Sequence, residues 1–421
     1  MLRTLVLLSI SVAINANAAD SWPQWRGSGQ DGIAPAGDYP VSWSSESNVV
    51  WRRDLDGKGG STPIIVDGNI YLTGGDSGQN QLLCLGSDGK TKWQASVGAD
   101  RGGKHKKGSG SNPSPVSDGS HIYCYYRSGD VGCLDLAGKV VWQGNLQEKF
   151  GEDTLWWDLG TSPVLTDDAV VVAVMQSGPS YLVALDKTSG DVLWKTDRSL
   201  DAPEEAAQSY STPQVVTVND KQAIATLGAD HVTLHDAATG QELGRLGGFN
   251  PKNEKYWRSI ASPTVEGDLI FCPYARGNTV TAVSLKALAA GGGENSIVWQ
   301  RDDLGADVPT PVAHNGKLYV IHDKGRFQCV DSQTGKTLWS GNLPKHRMSY
   351  TSSPLLASGN LYFTREDATT FVVPIGKESF EIAATNELES NKPYTVASLV
   401  PFNGRLLLRT ATDLICVANK D

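Results

Sequence analysis

Several familiar signatures are missing. The 421 residues contain no G-x-S-x-G, H-E-x-x-H or C-x-x-C, which removes the nucleophile elbow, the helical zinc-protease pair and the dithiol redox motif. Positive charge is in short supply, with 37 Lys and Arg against 46 Asp and Glu for a net −9. That leaves no basic footprint for nucleic acid, and no nucleic-acid partner is expected. Beyond the first residues no apolar run is long enough to cross a bilayer, so no membrane anchor is expected. The seven histidines offer one close pair, His231 and His235; on a strand these stand about 13 Å apart, too far to share an ion. Gly89-Lys90-Thr91 and Gly335-Lys336-Thr337 mimic the end of a phosphate loop. The first glycine of that motif is absent, with Cys84 and Val330 in its place, and both runs read as hairpin turns.

Glycine and tryptophan are plentiful instead, at 45 and 12, and they fall in a pattern. The stretch Thr310–Trp339 reads with period 2 as four short strands, turned at His314-Asn315-Gly316, Asp323-Lys324-Gly325 and Asp331–Gly335. Its opening proline recurs at Pro63, Pro115, Pro163, Pro213, Pro263, Pro311 and Pro354, each preceded by Ser or Thr. Its closing G-x-x-x-W recurs at Gly89/Trp93, Gly138/Trp142 and Gly190/Trp194, and Asn295/Trp299 keeps the spacing. A four-stranded unit repeated every 40–50 residues specifies a β-propeller, because one such meander cannot bury both faces alone.

Asn48-Val49-Val50-Trp51 looks like a fourth strand with no first three before it, while Ala397–Val417 supplies three strands and no fourth. Joined, they complete a blade and remove the free edges of an open ring. The expectation is therefore an all-β, eight-bladed β-propeller of four-stranded antiparallel blades over residues 48–421, closed between the N-terminal strand and the C-terminal strands. Leu399 stands where the eighth blade should have its proline, and Gly244 where the fourth should have its tryptophan. Blade 7 lacks a clear last turn before a short strand at Phe380–Ala383, and Ala287–Asn295 reads as a surface loop inserted in blade 5.

Residues 1–19 read as a cleaved signal peptide, with Arg3, the apolar run Leu5–Ala13 and the cleavage pattern Ala16-Asn17-Ala18. No Cys follows that run, so no lipid attachment is expected and the location is periplasmic or secreted. Residues 20–47 form a lead-in pinned across the ring by Trp22, Trp25 and Trp43. Export permits disulfides, yet the six cysteines occupy positions where other blades have Ala, Leu or Val, which reads as packing. Only Cys124 and Cys133 share a blade, and a bridge between them stays open.

In a propeller the loops joining one blade to the next gather at one mouth of the channel, a usual binding place. Here those loops bring His105 and Lys106; Trp156, Trp157 and Asp158; Glu205 and Gln208; Trp257 and Arg258; Asp307; and His346 and Arg347. These twelve are the candidate ligand or partner surface.

Ser162-Pro163-Val164…Ala184-Leu185-Asp186-Lys187-Thr188-Ser189-Gly190…Trp194 follows the unit S-P-x-V…L-D-x-x-[TS]-G-x-x-x-W, with Leu165 in place of its Val. With it the chain resembles the PQQ-binding-like β-propeller repeat family. One branch of that family, the quinoprotein alcohol and glucose dehydrogenases, implies pyrroloquinoline quinone with Ca²⁺ in the mouth, a disulfide of adjacent cysteines and a Glu/Asn/Asp metal set. No adjacent cysteines occur here, and the metal set matches no positions. The other branch, the scaffold lipoprotein of the outer-membrane β-barrel assembly machinery, implies a cofactor-free propeller that binds partners through loops. The sequence thus reads as a non-catalytic binding or scaffold module without metal or cofactor, taking a protein or polysaccharide at the mouth. A minimal PQQ-dependent oxidoreductase with Ca²⁺ is the alternative.

Overall fold

The computed structural model describes residues 21–388 and 394–419; the signal-peptide reading over residues 1–19 lies outside them. Eight four-stranded antiparallel sheets follow one another around a ring. The first blade is built from Ile64–Val66, Asn69–Asp76, Gln79–Leu85 and Thr91–Ala99, in that order from the axis outward, and six more repeat it. The eighth takes Val400–Phe402, Arg405–Arg409 and Asp413–Ala418 from the end of the chain. Its outer strand is Val49–Asp54, paired antiparallel with Asp413–Ala418.

Two devices join neighbouring blades. At the axis, in seven of the eight junctions, the backbone N–H of the innermost Ser or Thr donates to the hydroxyl of its counterpart in the next blade. Thr62 reaches Ser114 (2.9 Å), Ser114 reaches Ser162 (2.9 Å), Ser162 reaches Thr212 (3.1 Å) and Thr212 reaches Ser262 (2.8 Å). Ser262 reaches Thr310 (2.9 Å), Thr310 reaches Ser353 (3.0 Å), and Ser398 returns to Thr62 (3.0 Å). At the periphery, in five blades, the last-strand tryptophan donates its indole N–H to a turn carbonyl of the next. Trp51 pairs with Ser87 (3.0 Å), Trp93 with Leu136 (3.0 Å), Trp142 with Lys187 (2.8 Å), Trp194 with Ala237 (3.1 Å) and Trp299 with Ser332 (2.9 Å). The ring lies flat on the turn glycine, and a Cβ on Gly138 would come within 2.6 Å of Trp93. Glycine therefore precedes tryptophan in the repeat so that it can receive the tryptophan of the blade before.

The irregular blades have local reasons. The insertion in blade 5 is not a surface loop: it folds into a short helix, Leu285–Ala289, capped by Ser284 and with Leu288 fully buried. That helix occupies the place where blade 4 lacks its tryptophan, since a Cβ on Gly244 would lie 2.0 Å from the Leu288 carbonyl oxygen. In blade 7 the last strand forms at Ala384–Asn386 rather than Phe380–Ala383. Phe380 is turned instead onto Gly341 of blade 6, where a Cβ would meet its ring at 2.0 Å. All six cysteines are free and buried. Cys133 faces Tyr123 across the ladder, so Cys124, one residue further along, points to the other face of the sheet.

The lead-in crosses the end of the channel opposite the blade-to-blade loops. Trp22 bridges to Ile65 of blade 1, and Pro23 accepts the N–H of Ser117 in blade 2 (2.8 Å). Gln30 exchanges hydrogen bonds with Pro213 and Val215 of blade 4, and Ile33 bridges to Leu356 of blade 7. Arg26, 1% exposed, donates to the carbonyls of Thr310 (3.2 Å) and Pro311 (2.6 Å) in blade 6. The channel is closed at that end, and it forms a cup.

Two substitutions probe these joints in denaturant unfolding. Thr62→Val leaves the buried Ser398 N–H without its acceptor and should cost about 1–3 kcal/mol, whereas Thr62→Ser should be neutral within about 0.5 kcal/mol. Gly244→Ala should cost about 1–3 kcal/mol by driving a methyl into the Leu288 carbonyl. Gly74→Ala, with nothing within 4 Å of the added methyl, should cost nothing comparable.

Candidate functional site

The cup encloses about 470 Å³. Its waist is the belt of Thr62, Ser114, Ser162, Thr212, Ser262, Thr310, Ser353 and Ser398, and its floor is the Trp25 ring. Among the described residues none of these eight hydroxyls donates to a protein acceptor, although seven accept a backbone N–H. Their protons are left for water or a guest.

Of the twelve candidate residues, four line the cup: His105, Trp157, Asp158 and Arg258. Asp158 is nearly buried and organises the basic loop of blade 2, accepting the N–H of Lys104 (2.6 Å) and of His105 (2.9 Å). The His105 ring then meets the edge of Trp157, with centroids 5.7 Å apart. Arg258 is held between Glu205 (3.5 Å) and Asp307 (3.2 Å). Glu205 also accepts the indole N–H of Trp157 at 2.7 Å. Gln208 is fully buried, and its amide oxygen accepts the N–H of Trp156 (2.8 Å) and the hydroxyl of Tyr210 (3.0 Å). Glu205, Gln208 and Asp307 thus position other residues. Trp257 is half-buried against the core between blades 4 and 5, and Lys106 faces a second cavity. His346 stands 3.7 Å from Asp367, and Arg347 is exposed, both away from the cup lining.

Trp156, Trp157 and Tyr256 remain 48%, 46% and 55% exposed, with Trp156 and Tyr256 in ring contact at 6.4 Å. Three large aromatics therefore stand in solvent on loops pinned from beneath.

Sequence reasoning missed the residue that spans the mouth. Lys107 reaches across to Glu366 of blade 7, with both carboxylate oxygens at 2.9–3.0 Å, and lies over the Tyr394 ring at 5.2 Å. Lys107 belonged to the basic run already singled out, but nothing local signals a partner 259 residues away. The belt hydroxyls had a signal, the Ser or Thr before each proline.

The Ca²⁺ named by the resemblance would need several acidic ligands close together. Among the described residues no three His, Cys, Asp or Glu side chains converge to hold a metal ion. Asp158 spends its oxygens on two N–H groups, Glu366 spends its own on Lys107, and no two thiols are adjacent.

One mouth carboxyl is displaced in its titration. Asp323, in a turn of blade 6, accepts the N–H groups of Asp307 and Val308 (both 3.2 Å). Burial, with the Asp307 charge beside it, pushes it up to about 6. The folded state holds this proton more tightly than the unfolded chain, whose carboxyl titrates near about 4. The associated stability is present below that value and is lost as pH rises through about 6. Asp323→Asn, which keeps an acceptor for both N–H groups, should raise the melting temperature at pH 8 and raise it much less at pH 4.5. Equal shifts at both pH values would count against this account.

Comparison with known proteins follows the architecture. A chain from Salmonella typhimurium, outer membrane protein assembly factor BamB, is 22% identical over 369 residues, covering 76% of this chain and 86% of that one. Among solved structures, BamB from Moraxella catarrhalis superposes with a TM-score of 0.61 at 14% identity, covering 88% of this chain and 99% of that one. A europium-containing methanol dehydrogenase superposes with a TM-score of 0.69 at 11% identity, covering 96% and 99%. At such identities the superpositions speak for the fold alone. Residues 81–341, more than half of the chain, match the family model described as outer membrane protein assembly factor BamB; this protein belongs to that propeller family, PQQ_2.

Proposed function

We propose that this protein is a periplasmic binding and scaffold module that holds a protein partner at the channel mouth and does no chemistry of its own. The observation that carries the reading is the aromatic rim. Trp156, Trp157 and Tyr256 expose broad apolar faces, while partly buried hydrogen bonds to Gln208, Tyr210 and Glu205 fix the loop of the two tryptophans. Large aromatics already ordered before contact lose little entropy on binding, which makes them the usual anchors of protein interfaces. The Salmonella relative is named as an outer membrane protein assembly factor, and the partner class we propose is accordingly a component of outer-membrane protein assembly.

A photo-crosslinker placed at position 156 in the native host should join the chain to one defined protein. The same group at Val192, on an outer strand, should not. With that protein purified, Trp156→Ala together with Trp157→Ala should weaken binding by about 30-fold or more, the loss of at least one anchor, while the melting temperature stays within about 3 °C. Reduction of a dye by the chain saturated with PQQ and Ca²⁺, using alcohols or sugars, would overturn the reading. So would binding of a glycan that the double variant abolishes while no protein crosslinks at 156.

A further inference from the structure

A second cavity, of about 220 Å³, opens beside the cup at the seam where the eighth blade meets the first. Its charged lining is Lys58, Lys106, Lys107 and Arg409, and no described carboxylate lines it. This concentration runs against the chain as a whole, which carries −9. Lys107 is spent on Glu366. Lys58 and Lys106 are exposed and make no ion pair among the described residues.

Arg409 is the unusual member. It is 3% exposed and is held in a cradle of neutral acceptors: Nη1 donates to the Ser61 carbonyl and hydroxyl, the carbonyl at 2.9 Å, and Nη2 donates to the Thr73 carbonyl at 2.8 Å. Its Nε–H has no acceptor among the described residues. Burial alone acts on its guanidinium, lowering it to about 9. Of the other two fully buried arginines, Arg26 has the Asp31 charge nearby, while Arg198 donates to neutral acceptors, with Glu242 already paired to Arg245. Removing a cation from water without a paired anion costs several kcal/mol. A cradle that holds one there, beside two unspent lysines, is arranged for an anion supplied from outside. Gly59 keeps the wall thin, since a Cβ there would lie 1.9 Å from Nη2.

We propose that this seam pocket is an oxyanion site that takes the phosphate group of a small ligand. Three uncompensated cations suit a dianion better than a single carboxylate, and a guanidinium and two ammonium groups are the usual donors to phosphate. The pocket exceeds the bulk of a phosphate ion and adjoins the cup, with Gly60, Lys107, Gly108, Tyr394 and Val396 lining both. The proposal stands independently of the partner surface on the aromatic rim.

Titration of the full chain with sodium phosphate, against sodium chloride at matched ionic strength, should show saturable heat and a rise in melting temperature, because the ligand bridges the first and last blades. Lys58→Ala with Lys106→Ala should weaken phosphate binding at least tenfold. The pair Lys90→Ala and Lys336→Ala, exposed in turns between outer strands, should leave it unchanged. Arg409→Lys, which keeps the charge but loses the planar fork, should also weaken it. Vesicles containing phosphatidic acid distinguish the source: recruitment that the Lys58/Lys106 variant loses marks a lipid headgroup, and phosphate binding without recruitment marks a soluble ligand. No saturable binding below 10 mM phosphate, or equal binding by the Lys58/Lys106 variant, would overturn the proposal.

Discussion

The architecture depends on one repeated contact, a backbone N–H at the axis donating to the hydroxyl of the next blade. Seven junctions carry it, including the one between the last blade and the first. Innermost strands have no neighbour on the channel side, so their amides would otherwise be buried without partners. The serine or threonine supplies the acceptor, and the proline that follows in seven blades has no N–H to satisfy. Each bond is worth only about 1 kcal/mol net. Their value lies in direction, because each sets the distance and tilt of one sheet relative to the next.

The eight blades were legible in the sequence because each joint uses single residues at a fixed register. Proline marks the axis, and glycine and tryptophan mark the rim. Where a joint uses a whole segment, the repeat says nothing. Leu288 standing in for a tryptophan at Gly244, and Phe380 lying on Gly341, are solutions peculiar to one pair of blades. The loops of the mouth were legible in the same uneven way. Position in the repeat placed all twelve candidates at one end of the ring, yet the direction of a loop side chain has no period. His105, Trp157, Asp158 and Arg258 turn into the cup, while Glu205, Gln208 and Asp307 turn beneath it to hold their neighbours. Contacts such as Lys107 with Glu366, or Arg26 with Thr310, join residues more than 250 positions apart and leave no local trace.

Stability and recognition are drawn from different parts of this molecule. The outer joints and the belt spend their polar groups on the fold itself. The mouth spends carboxylates and amides on fixing aromatic rings, and it leaves the ring faces in water. Rigid loops of this kind favour recognition by shape, with little reorganisation on contact. The belt hydroxyls behave in a third way, structural through their oxygens and available through their protons.

The lead-in also constrains the order of assembly. Arg26 fits between carbonyls supplied 284 and 285 residues later, and Gln30 needs blade 4 in place. These groups cannot find their acceptors while the later blades are unfolded. The earliest described part of the chain must therefore be among the last to settle, sealing from outside a cylinder that has already formed.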